Sequence, residues 1–244
     1  MENLSQEKEK EIYQLAESVL ATAGELIAHD LNRGSAGNVS VRYADGCIIT
    51  PTGIEHQDCT PEDMVKARIK KVPEGTQRAG AGETAGAPDS LLNRRKPSSE
   101  LRFHRDIYAA FPAAGAIIHA HSPFATALAC QQQNIPPFHY MIARFGGMDV
   151  RCAEYATFGT QALSDAMLIA LQDRSACLMA HHGMVVYGHD LKHALALAVE
   201  LETLCEQYWR VLQLGTPKLL TAAQMDEVIA KFAGYGQQDS DADE

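Results

Sequence analysis

The chain has 244 residues, 46% of them hydrophobic, and a formal net charge of −10. That length and apolar fraction suffice for one buried core, so we expect a single α/β domain over residues 1–236, followed by an acidic, disordered tail over residues 237–244. The negative charge argues against a broad footprint on nucleic acid; with no apolar leader and no run of about 18 apolar residues, the sequence predicts a cytoplasmic protein with neither nucleic-acid nor membrane partners.

From Ile12 onward, Leu15, Ala16, Val19, Leu20, Ala23, Leu26 and Ile27 recur at three- and four-residue spacing, which predicts an amphipathic helix stopped by Asn32-Arg33-Gly34. Val39, Val41 and Tyr43 alternate with polar neighbours, Asp45-Gly46 supplies a turn, and Cys47 to Thr50 resumes an extended run, so a β-hairpin is expected. Thr60-Pro61-Glu62-Asp63 carries a capping signal and predicts a short helical turn. Residues 71–96 are rich in Gly, Ala, Pro and charge without periodicity, the pattern of a mobile surface loop. Beyond Pro97 the pattern predicts a helix over 101–110, a buried strand over 116–121 and a helix over 124–131. A helix over 160–172, a strand over 176–180, a long helix over 190–214 and a last helix starting near Thr221 complete the expected elements. Six cysteines, Cys47, Cys59, Cys130, Cys152, Cys177 and Cys205, form no CxxC pair and read as reduced core residues.

His119 and His121 stand two apart in an expected strand, so both imidazoles project from one face and can reach one metal ion. A third candidate lies in Met-Ala-His-His-Gly, residues 179–183, at the end of another apolar strand. Three such ligands with open positions are the pattern of a catalytic zinc site. His29, His56, His104, His139, His189 and His193 read as surface, capping or supporting residues. Pro97-Ser98-Ser99-Glu100 precedes a helix, so two hydroxyls and free backbone N–H groups gather where the helix dipole favours an anion; ordinary N-capping is the alternative reading. Gly37-Asn38 and Thr50-Pro51-Thr52-Gly53 offer small donors and close backbone approach, or plain turns.

The stretches GSAGNVSVRYADG, ITPTGI, PSSELRFH, IIHAHS, HYMIA, YATFGT and AHHGM, running in this order from Gly34 through Met184, resemble the class II aldolase/adducin family and within it the L-fuculose 1-phosphate aldolase branch. The resemblance implies a three-layer α/β domain with a central, mainly antiparallel sheet flanked by helices. It also implies a homotetramer with active sites between neighbouring subunits and one zinc ion per subunit. His119, His121 and His182 would bind the zinc, with Glu100 as acid/base residue and fourth ligand in the free enzyme. Gly37, Asn38, Thr52, Gly53, Ser98 and Ser99 would hold the substrate phosphate. Tyr140 would act on the aldehyde end from an adjacent subunit, Phe158 would line that end, and Tyr235 would be a second tyrosine from across the interface.

The reaction implied is reversible cleavage of a ketose 1-phosphate, first of all L-fuculose 1-phosphate, to dihydroxyacetone phosphate and an aldehyde, L-lactaldehyde. The alternative is an aldolase for 5-deoxyribulose 1-phosphate or related deoxyketose 1-phosphates. Further readings are a methylthioribulose 1-phosphate dehydratase, a sugar-phosphate 4-epimerase or a non-catalytic adducin-like module; the intact histidines and Glu100 speak against the last. Arg144-Phe145 departs from the small residues expected after the HYMIA stretch, which bears on aldehyde-side specificity.

Overall fold

A computed structural model of the protein describes residues 2–69 and 95–232. The expected mobile loop, apart from Arg95 and Lys96, the acidic tail and Tyr235 all lie outside the described residues.

Helix α1 spans Glu2–Ala28 and buries Ile12, Ala16, Val19, Ala23 and Leu26, the stripe its three- and four-residue spacing dictates. Ile27, expected on that stripe, is 40% exposed. The helix also stops earlier than Gly34: Asp30 takes a left-handed φ of 55°, and the N–H groups of Leu31 and Asn32 both donate to the carbonyl of Leu26. A short acidic side chain tolerates that conformation, so the glycine is not needed as the cap.

The hairpin forms as β1 (Asn38–Tyr43) and β2 (Gly46–Ile49), with the two-residue turn at Ala44-Asp45 instead of Asp45-Gly46. The capping signal at Thr60 gives a 3₁₀ turn over Pro61–Asp63, where the Thr60 N–H donates to the Asp63 carboxylate at 2.9 Å. It leads into an edge strand β3 (Val65–Arg68), which four residues of weak alternation did not announce. Helix α2 (Leu101–Ala110), strand β4 (Ala116–Ala120), helix α3 (Pro123–Cys130), helix α4 (Gln161–Ala170), strand β6 (Ala176–Met179), helix α5 (Leu191–Leu214) and helix α6 (Ala222–Phe232) fall where the sequence puts them to within a few residues. Two further strands were not expected. These are β5 (Arg151–Ala153), which is three residues long, and β7 (Gly183–Gly188), which starts directly after the second histidine motif.

The strands form one mixed sheet in the order β3-β2-β1-β4-β7-β6-β5, in which only the β5–β6 pair is parallel. Helices α1, α3, α5 and α6 cover one face, packing on Val39, Val41, Ile48, Ile118, Leu178 and Val186. Helices α2 and α4 cover the other, packing on Cys47, Ile49, Ile117, Cys177, Met179 and Val185. The α/β domain with a mainly antiparallel sheet between helical layers is therefore present as expected. All six cysteines are free. Cys47, Cys177 and Cys205 are buried, and burial pushes the Cys47 thiol up to about 12, whereas Cys130 is exposed and so is not a core residue. No helix among the described residues is long and apolar enough to cross a membrane.

Candidate metal centre and substrate cleft

Antiparallel pairing brings the three histidines together. β1 and β7 flank β4, with Asn38 opposite His119 on one side and Met184 opposite Ala120 on the other. The C-terminal end of β4, carrying His119 and then His121, thus meets the β6–β7 turn, which is the short segment Ala180-His181-His182 with His181 at a left-handed φ of 56°. Gly183 is required there: a Cβ would stand 2.5 Å from the Ala120 carbonyl oxygen and 3.1 Å from the His121 ring. Gly37, with φ of 73°, is required for the same reason, since its Cβ would lie 2.6 Å from the His119 carbonyl oxygen.

One ring nitrogen from each of His119, His121 and His182 lies within 4.8 Å of the others. His119 Nδ1 faces the Met184 carbonyl at 2.8 Å and so must carry the hydrogen, leaving the Nε2 lone pair turned toward His121 Nε2 at 3.0 Å. Glu100, at the entry to α2, puts Oε2 3.1 Å from His119 Nε2 and Oε1 3.2 Å from His182 Nε2, and buried Oε1 accepts no hydrogen bond. The electrostatics call for a cation. Burial would raise the Glu100 carboxyl, yet the two imidazoles beside it, His119 first and then His182, hold it well below the usual carboxylate range. Burial would likewise push His119 down, and the Glu100 carboxylate reverses this. His121, partly shielded at the cleft floor and beside two other imidazoles, is lowered to about 4, which keeps a lone pair available to a metal ion. Nitrogen donors with free lone pairs around an anionic carboxylate with an open oxygen fit a divalent metal ion.

A cleft of about 490 Å³ opens over this cluster, lined by Gly37, Asn38, Thr52, Gly53, Ser98, Ser99, Glu100, His121, Phe158 and His182. The residues expected to hold phosphate are brought together by backbone bonds between two distant segments, Ser98 N–H to the Thr50 carbonyl and Thr52 N–H to the Lys96 carbonyl, each at 3.1 Å. The Ser98 hydroxyl accepts from the Glu100 N–H at 3.2 Å, the capping-type bond that was the alternative reading, while Ser99 is exposed to the cleft. Tyr140 does not line the cleft of its own chain; it is 50% exposed and stacks on Phe232 at 6.4 Å. Arg144 pairs with Glu200 at 3.0 Å and Phe145 is buried in the core, so neither lines the cleft.

Sequence reasoning passed over several residues at this site. Tyr155 and His181 line the cleft beside Phe158. Asn32, buried, accepts the His121 N–H at 3.0 Å. Glu202 reaches from α5 to take the Ser122 hydroxyl at 2.6 Å and the N–H groups of Phe124 and Ala125 at 2.7 and 2.9 Å, so it caps α3 and fixes the turn that follows His121. His104, read as a supporting residue, is fully buried beneath Glu100 and is joined to it through Asn38. A signal was present for His104 and Glu100, which stand four apart and share one helical stripe; none marked Asn32 or Glu202.

A buried carboxylate beside three histidines at the floor of a cleft lined by small hydroxyl and backbone donors has the make-up of a metal-dependent enzyme acting on a small molecule. Comparison with known proteins then places it. The Class II Aldolase and Adducin N-terminal domain matches residues 17–209. A 5-methylthioribulose-1-phosphate/5-deoxyribulose-1-phosphate aldolase of Rhodospirillum rubrum is 46% identical over 91% of this chain and 92% of its own length. An L-fuculose phosphate aldolase of Escherichia coli K12 is 39% identical over 91% of this chain and 95% of its own. Among solved structures, an L-fuculose 1-phosphate aldolase superposes with a TM-score of 0.80 at 32% identity, over 90% of this chain and 96% of that one. The chain belongs to the class II aldolase/adducin family, and with its histidine cluster it is a class II, metal-dependent aldolase.

Proposed function

We propose that the protein cleaves a 5-deoxyketose 1-phosphate, 5-deoxyribulose 1-phosphate or its 5-methylthio analogue, to dihydroxyacetone phosphate and a short aldehyde. The observation that carries this reading over the L-fuculose 1-phosphate expectation is the higher identity to the Rhodospirillum rubrum relative, 46% against 39% for the Escherichia coli one over the same share of the chain. The cleft supports it: Tyr155 and Phe158, both more than half exposed, give the wall away from the phosphate side an aromatic surface suited to a methyl or methylthio group.

His119, His121 and His182 hold zinc, one ion per subunit, with Glu100 as the further ligand in the free enzyme. Held by these residues, zinc would supply Lewis-acid stabilisation of the negative charge that develops as the carbon–carbon bond breaks. Gly37, Asn38, Thr52, Gly53, Ser98 and Ser99 bind the phosphate and so align the chain of carbons. In cleavage the C4 hydroxyl loses its proton, the C3–C4 bond breaks with its electron pair left on C3, C4 departs as the aldehyde carbon, and Glu100 gives a proton to C3. In synthesis Glu100 removes that proton again. Tyr140, set away from the cleft of its own chain, takes the C4 hydroxyl proton in a neighbouring subunit's site, to which Tyr235 is assigned as a second tyrosine, and this makes the homotetramer the working unit. The enzyme acts in the cytoplasm on free sugar phosphates.

The test is release of dihydroxyacetone phosphate from 5-deoxyribulose 1-phosphate, 5-methylthioribulose 1-phosphate and L-fuculose 1-phosphate, with and without chelator. We expect kcat/KM to be higher for the two 5-deoxyketoses, and chelation to abolish release until zinc is restored. A higher kcat/KM for L-fuculose 1-phosphate would return the assignment to that sugar, and release that survives full metal removal would sink the zinc mechanism.

A further inference from the structure

We propose that His104 is a positioning residue for Glu100: it clamps the side-chain amide of Asn38 so that its NH₂ group faces the carboxylate, and thereby fixes how the base points. This role presupposes Glu100 as the base, as proposed above. It also gives the Asn38 side chain a second duty beside substrate binding.

The direction of every hydrogen bond in the chain follows from the charge at one end. Asn38 Nδ2 stands 2.9 Å from Glu100 Oε2, and an ionised carboxylate can only accept, so the NH₂ must face it. Asn38 Oδ1 then turns to His104 Nε2, with which it makes a short contact, and because an amide oxygen can only accept, Nε2 must carry the hydrogen. His104 is fully buried, and burial pushes it down to about 3, so the ring is neutral and, with Nε2 carrying the hydrogen, Nδ1 bears a lone pair. Ser40 therefore donates its hydroxyl hydrogen to Nδ1 at 2.7 Å and accepts from the buried Tyr108 hydroxyl at 2.8 Å. The result is a one-way chain, Tyr108 to Ser40 to His104 to Asn38 to Glu100, with every donor and acceptor matched.

Two elements supply all five groups. Residues 38 and 40 share one face of β1, and residues 100, 104 and 108 share one stripe along α2 and its entry. Buried polar groups cost desolvation that apolar side chains would not. On the opposite face of the same strand, Val39 and Val41 fill the equivalent depth. What the polar chain adds is orientation. Without the Nε2 hydrogen, Asn38 Oδ1 is left buried with no donor, and the amide loses the second anchor that holds its NH₂ group in place against Glu100.

Histidine-selective nitrogen-15 spectra of the zinc-loaded wild type read the tautomer directly: we expect neutral His104 with the hydrogen on Nε2, and a hydrogen on Nδ1 would overturn the proposal. For catalysis, His104→Phe keeps a ring stacked on Phe103 but removes the donor, whereas His104→Gln can place an amide N–H near the position of Nε2. We expect His104→Phe, with full zinc content, to lose roughly 10- to 100-fold in kcat while KM stays within about twofold, and His104→Gln to recover most of the loss. Solvent-deuterium exchange into the hydroxymethyl carbon of dihydroxyacetone phosphate should fall by the same factor. A wild-type kcat in His104→Phe, a loss confined to KM, or a glutamine variant no better than phenylalanine would each overturn it. Glu100→Gln separates the two layers: retained exchange would remove Glu100 as base and this role with it. Abolished exchange alongside an unimpaired His104→Phe would remove the role of His104 alone.

Discussion

The two faces of the sheet are built from the same strands and do different work. Toward α1, α3, α5 and α6, the strands present Val39, Val41, Ala116, Ile118, Leu178, Met184 and Val186, an apolar layer. Toward α2 and α4, the same strands interleave Asn38, Ser40 and His119 with Ile117, Cys177 and Val185. Because side chains alternate along a strand, a residue's parity decides whether it joins the stabilising layer or the chemical one. The lesson is a division of labour: one face supplies the burial that offsets the desolvation of charged and polar groups on the other.

If that division is real, damage should sort by face. On the chemical face, His121→Ala should have the largest effect: zinc lost from the purified protein by elemental analysis, and activity down by roughly 10³-fold, while the fold persists by circular dichroism. Zinc retained at full stoichiometry would break the comparison. On the apolar face, Leu197→Ala, a buried α5 residue, should cost about 2–5 kcal/mol in denaturant unfolding. It should leave the kcat of the folded enzyme unchanged, and a kcat loss at full folding would show that the faces are not separable. The smallest effect should come from Ser99→Ala at the cleft rim. Loss of one hydrogen bond to a charged group should raise KM roughly tenfold with little change in kcat, and an unchanged KM would take Ser99 out of the phosphate site.

Much of this was legible in the sequence, for reasons that can be named. Period-two spacing put His119 and His121 on one face of one strand, and three- and four-residue spacing gave the buried stripe of α1 apart from Ile27. The Thr60 and Thr221 capping signals mark true helix starts; the Thr221 N–H donates to the Gln224 side chain at 2.9 Å. The stop of α1 was misjudged because Asp30 could take a left-handed conformation that glycine was expected to supply. The strands β3, β5 and β7 were missed because three to six residues beside a turn carry too little pattern to stand out. Tyr140 is a different case: the family resemblance implied a chemical role for it, but one chain by itself leaves it stacked on Phe232, away from its own cleft.

By itself, then, the sequence determined what depends on local spacing: helical stripes, strand parity, helix caps, and donors two or four residues apart. It could not determine which distant segments meet. His182 reaches His119 only because β7 pairs antiparallel with β4, and Ser98 reaches Thr50 only through a backbone bond between segments far apart in the chain. Glu202, from α5, finds the turn after His121 only when that helix packs on the sheet. Those meetings are set by packing and hydrogen bonding summed over the whole fold. No local pattern encodes such a sum, so only the tertiary structure decided where the three histidines, the carboxylate and the polar chain behind it converge.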